Sequence, residues 1–97
     1  MSPIQLLPEA RQDFDQSFDW YATRSDVAAE RFTFAIEAGL ARIAKDAAML
    51  PHINPRHQYC PVSRFPFRII FRVLHDHILI VAIAHAKRRP QYWKQRG

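Results

Sequence analysis

The stretch from Phe65 to Arg96, FPFRIIFRVLHDHILIVAIAHAKRRPQYWKQR, dictates a sheet. Phe67, Ile69, Phe71 and Val73 alternate with Arg68, Ile70, Arg72 and Leu74. A period of two is the pattern of a strand with one buried face. Ile78 to Ala84 is then a continuous apolar run rich in β-branched residues, which suits a strand covered on both faces. Only His75-Asp76-His77 and its flanks separate the two, so the pair should form an antiparallel hairpin. The second strand runs straight into His85-Ala86-Lys87-Arg88-Arg89-Pro90. The sheet therefore delivers a cluster of cations to one edge of the domain.

Upstream the period changes. Ile4 to Leu7 reads as a short strand that stops at Pro8, a residue suited to the first turn of a helix. The first helix is expected from about Pro8 to about Ala22, with Ala10, Phe14, Phe18 and Tyr21 on its apolar face. Arg11, Asp13, Asp15, Gln16 and Asp19 fall on the other faces, and Trp20 is expected to seal an edge of the core. Ser25 or Asp26 caps a second helix, expected from about Val27 to about Ala48. Its stripe is Ala28, Phe32, Ala35, Ile36, Gly39, Leu40 and Ile43, and Gly39 implies close approach to another backbone. Pro51, Pro55 and Pro61 break the following segment, which has room for a short strand near Arg56–Cys60. The tail from Gln91 to Arg96 is too short for a free helix and should dock as one turn through Tyr92 or Trp93.

These elements predict an α+β fold, β-α-α-β-β-β. A helical hairpin packs on a small, twisted, mostly antiparallel sheet. Its 97 residues suffice for one domain, residues 1–97, with one core. A single cysteine, Cys60, excludes an internal disulfide framework and fits a reducing cytoplasm. No basic-then-apolar leader opens the sequence, and no apolar run approaches membrane-spanning length. No metal or cofactor is expected: His75 and His77 flank Asp76 without a further ligand set, and Cys60 has no activating partner in sequence.

Charge is divided unevenly. Residues 1–50 hold five Lys/Arg and eight Asp/Glu, a net charge of −3. Residues 51–97 hold nine Lys/Arg and one acid, Asp76, a net charge of +8. All five histidines also lie in the second half. Such a surface attracts nucleic acid or an acidic protein segment.

The chain resembles the RelE/ParE superfamily, the toxin halves of bacterial type II toxin–antitoxin pairs. Three pieces carry the resemblance over nearly the whole sequence. They are the helix-rich first half, the segment Arg64 to Val73 that resembles the central strand, and the ending His85 to Trp93 that resembles the closing motif of His, Arg, Pro and Trp. The ParE branch is the closer one. The resemblance implies a cognate antitoxin, a toxin–antitoxin hetero-oligomer, and an antitoxin segment that is extended or helical. An acidic segment would suit the basic second half, and a sheet edge could accept an added strand.

Two functions follow from the resemblance. A ParE-like toxin would bind DNA gyrase and block replication without catalysis. Its expected contacts are Arg88, Arg89, Tyr92, Trp93 and Arg96, a cation and aromatic set of the kind enriched at binding hot spots. A RelE-like toxin would cleave mRNA on the ribosome, with Arg68, Arg88 and Tyr92 as catalytic residues and His85 or His57 as proton carrier. RelE-type enzymes carry a pair of lysines ahead of the central strand. Arg56-His57-Gln58-Tyr59-Cys60 holds none, so inhibition ranks above cleavage. A third reading is a general nucleic-acid-binding module, with Lys87-Arg88-Arg89 on phosphates and Tyr92 or Trp93 under a base.

Overall fold

The computed structural model describes residues 2–97. Strand β1 (Ile4–Leu6) leads into helices α1 (Pro8–Ala22) and α2 (Asp26–Asp46). A 3-10 turn (Ala47–Met49) follows, then strands β2 (His52–Asn54), β3 (His57–Pro61), β4 (Phe67–Val73) and β5 (Ile78–His85). The strands form one sheet in the order β1-β5-β4-β3-β2. Among the described residues only the β1–β5 pair is parallel. The α+β architecture expected from the sequence is the one observed, with β2 as an added edge strand.

Local chemistry sets the helix limits. Leu7 precedes α1 in extended conformation and offers no side-chain cap, while Pro8 supplies the preset φ of the first turn. Ser25 Oγ accepts from the Ala28 amide at 3.2 Å and caps α2. Both helices lie on one face of the sheet. Phe32, Ile36 and Ile43 of α2 meet Ile69 and Phe71 of β4 and Ile78, Ile80 and Ile83 of β5 in one buried cluster. Phe14 stacks on Phe32 with ring centres 5.6 Å apart, and Tyr21 lies 5.1 Å from Phe32. Burial of these side chains is the main force holding the helices down.

Four expectations need correction here. Trp20 does not seal the core: it is 52% exposed, with the Arg24 guanidinium 3.6 Å from its ring centre. Gly39 does approach the sheet closely, but a Cβ there would meet a side chain, Ile69 Cδ1 at 2.7 Å, rather than a backbone. Val73, the last residue of β4, is exposed, although its partner Ile78 on β5 is buried. Asp13 belongs to no solvated face: it is buried, at 5% exposure.

The second face of the sheet is covered too. Residues 88–97 form a series of tight turns, with the Lys94 amide on Gln91 O at 3.0 Å and the Arg96 amide on Trp93 O at 2.9 Å. This tail docks through Trp93, which is buried against Ile70, Val81 and Ala82 in a second, smaller cluster. Arg72 donates to the Gly97 carbonyl and ties down the far end. Arg68, Ile70 and Arg72 thus share a strand face, and the tail crosses it.

Candidate functional site

The ending of β5 creates the site. Ile70 pairs with Ala82 and Phe71 with Ile80, so Val81 has no partner on β4 and β5 carries a bulge. On the other side of β5, β1 ends at Leu6, level with Ile80. Beyond that point the outer edge of β5 has no neighbouring strand among the described residues. Two side chains occupy it instead. Asp13 Oδ2 accepts from the Ile83 amide at 3.1 Å, and Arg96 donates to the Val81 carbonyl at 3.2 Å. Backbone groups that a longer β1 would have paired are satisfied by an acid from α1 and a cation from the tail.

Those two side chains also bind each other. Arg96 Nη1 lies 2.8 Å from Asp13 Oδ2, and Nη2 lies 3.3 Å from Oδ1. The Tyr92 hydroxyl donates to Asp13 at 3.2 Å. Arg88 Nη1 stands 3.5 Å from Asp13 Oδ1. One buried carboxylate therefore gathers three members of the tail. The Tyr92 phenol is pushed up to about 12 by burial and by the negative charge of Asp13.

Between the tail and the sheet lies a cleft of about 200 Å³. Arg68, His85, Arg88, Arg89, Tyr92 and Trp93 line it. Arg68 is thus brought beside residues of the tail, and six of the eight candidates named for the cleavage and inhibition readings line the cleft, His57 and Arg96 being the exceptions. Arg96 faces inward instead, with its side chain 15% exposed. Arg68 lies over the Tyr59 ring at 4.6 Å, and Arg88 over the Tyr92 ring at 3.8 Å. Such stacking fixes a guanidinium while leaving its edge free to bind. Gln91 adopts a positive φ of 58°, a costly conformation for a residue with a Cβ. It turns the chain after Pro90, so that Tyr92 and Trp93 face the sheet.

The two histidines named as proton carriers are held by other groups. His85 Nδ1 accepts from the Lys87 amide at 3.0 Å, which places the neutral ring's proton on Nε2 as a donor. His57 is 3% exposed, its ring centre 4.8 Å from that of Trp93. Its Nδ1 lies 3.1 Å from Asn54 Oδ1, an oxygen already accepting two backbone amides. His57 Nε2 is buried without a hydrogen-bond partner among the described residues. Burial, then Arg72, Arg56 and Lys94, hold its pKa below 6.5. Among the described residues no group of His, Cys, Asp or Glu is placed to hold a metal ion. Cys60 is buried, and burial raises its thiol pKa. What the cleft offers is a cationic and aromatic binding wall.

Sequence reasoning missed Asp13, the residue on which the site turns. It follows Ala10 by three positions on the core-facing side of α1, so an acid among the apolar positions was the available signal.

Comparison with known proteins agrees with this architecture. A solved structure described as "Chromosomal ParDE TA system from P. aeruginosa" superposes with a TM-score of 0.78. It shares 21% identity and covers 90% of this chain and 98% of its own, a likeness of fold. No curated protein matches the chain. Residues 4–90 match the family described as "ParE toxin of type II toxin-antitoxin system, parDE". That span includes Asp13, Arg68, His85, Arg88 and Arg89 and stops short of Tyr92, Trp93 and Arg96. With most of its length inside that match, the chain belongs to the ParE toxin family of type II toxin–antitoxin systems.

Proposed function

We propose that this toxin arrests growth by binding DNA gyrase through the tail cleft, and that a cognate antitoxin neutralises it. The supporting observation is the convergence of Arg68, Arg88 and Arg89 on one wall beside Tyr92 and Trp93. Stacked guanidiniums next to aromatic rings are hot-spot chemistry, suited to an acidic patch on a protein partner. Toxin and antitoxin would meet in the cytoplasm, where gyrase works. The basic second half of the chain favours an acidic antitoxin segment.

The geometry gives cleavage less support. Attack by an RNA 2′-hydroxyl needs a group able to take its proton. The His85 ring packs edge-on against Phe67 with its Nδ1 taken by the Lys87 amide, His57 is buried, and the Tyr92 hydroxyl is pushed up to about 12 and spent on Asp13. The test is pulse-labelling after induced expression in a bacterial host, with DNA and protein synthesis followed separately. Inhibition of gyrase predicts that DNA synthesis stops first, with filamentation. Protein synthesis stopping first would replace this reading with the ribonuclease one.

A further inference from the structure

We propose that Asp13 is the positioning residue of the cleft: it holds Arg88 in its working orientation, with Arg96 as its own counter-ion. The proposal rests on the reading of the cleft as the target-binding surface.

Arg88 follows β5 in a turn, its amide on His85 O at 3.1 Å, and its side chain is 48% exposed. An arginine in that setting ordinarily samples many rotamers, and a partner that binds it must first order it. Two contacts restrain Arg88 here. Its guanidinium sits 3.8 Å from the Tyr92 ring centre, and Nη1 stands 3.5 Å from Asp13 Oδ1. The Tyr92 platform is itself fixed, because its hydroxyl bonds the same carboxylate at 3.2 Å. Asp13 therefore acts on Arg88 directly and through the ring beneath it.

The two arginines bind that carboxylate unequally. Arg96 reaches both oxygens, at 2.8 and 3.3 Å, and is largely shielded from solvent. Arg88 touches one oxygen at 3.5 Å and stays half in water. The Asp13 charge is thus taken up chiefly by Arg96. Arg88 keeps its positive charge available to a partner while being held in place. Among the tail residues named from sequence, Arg88 faces outward to bind and Arg96 faces inward to hold.

A purely architectural role for Asp13, sealing the β5 edge, predicts something different, and a double-mutant cycle separates the two. Growth inhibition would be measured as the inducer dose that halts growth, for wild type, Asp13→Asn, Arg88→Ala and the double variant. Far-UV circular dichroism checks folding. Each single change should raise the dose, on the order of tenfold, and the double variant should be no worse than the worse single one. Multiplying effects would overturn the proposal, because Asp13 would then act independently of Arg88. The second measurement is ¹⁵N relaxation of the Arg88 Nε–Hε group. It should be ordered in wild type and mobile in Asp13→Asn. A freely reorienting Arg88 in the wild-type protein contradicts the proposal even if Asp13→Asn fails to fold. A wild-type chain that leaves growth untouched while Arg88 stays ordered would sink the toxin reading and leave the positioning role standing.

Discussion

The two faces of the sheet are covered in opposite ways. On one, two helices bury a broad apolar cluster around Phe32, Ile36, Ile43 and Ile69. On the other, a short tail rests on a small cluster of Ile70, Val81, Ala82 and Trp93, and a single carboxylate, Asp13, fastens it at the edge. The first face depends on many weak, interchangeable contacts and makes the fold. The second depends on a few specific ones and makes the cleft. A face of the second kind has lower local stability and gains a polar, cationic surface in exchange.

The largest effect is expected on the helix face. Phe32→Ala removes a fully buried ring in contact with Phe14, Tyr21 and Phe67, at a cost of about 4 kcal/mol. Thermal denaturation should show helix signal and Trp93 burial lost together at a much lower Tm. Asp13→Ala should cost about 3 kcal/mol, since it leaves the Arg96 guanidinium and the Ile83 amide without their partner. Here the transitions should separate. In a Trp20→Phe background, Trp93 fluorescence should shift to the red below the temperature at which the helices melt. Coincident transitions would mean that the two faces are one cooperative unit.

Gly39→Ala sharpens the contrast at smaller scale. The added methyl would crowd Ile69 Cδ1, and the gain in helix propensity only partly offsets that, for a net loss of about 1 kcal/mol. Combining it with Ile69→Val, which removes the crowding atom, should recover most of the loss in urea denaturation. The smallest effect concerns pH and the tail face alone. His57 has its pKa held below 6.5 by burial and by Arg72, Arg56 and Lys94, so the unfolded chain takes up its proton more readily than the folded one. Its contribution to stability is complete above 6.5 and declines as pH falls below that value. Trp93 quenching by acrylamide should rise in that range, and His57→Phe should flatten the rise.

The helix face was largely legible in the sequence and the tail face was not. Alternation over Phe67–Phe71 and the spacing of Phe32, Ile36 and Ile43 are periodic signals, and they located the elements and their core. The tail's aromatics were also visible, and docking through Trp93 came out as expected. What no local pattern reveals is a pair such as Asp13 and Arg96, 83 residues apart. Asp13 differs from the other acids on α1 only in following Ala10 by three positions, which does not say what it binds. Its burial follows from the bulge at Val81 and from β1 ending at Leu6, which together leave the β5 edge open. Strand β2 is only three residues long, too brief to leave a pattern. Trp20 looked like core by residue type, yet its position off the apolar stripe of α1 leaves it exposed beside Arg24.

Gyrase binding through the cleft is tested by a DNA supercoiling assay with purified gyrase and purified toxin, wild type against Arg88→Ala/Arg89→Ala. Both arginines are exposed on the cleft, so the double variant should fold and keep Trp93 buried. The wild-type protein should block supercoiling, and the variant, equally folded, should lose most of that effect. Unimpaired inhibition by the variant would remove the cleft from the mechanism, and no inhibition by the wild-type protein would remove gyrase as its target.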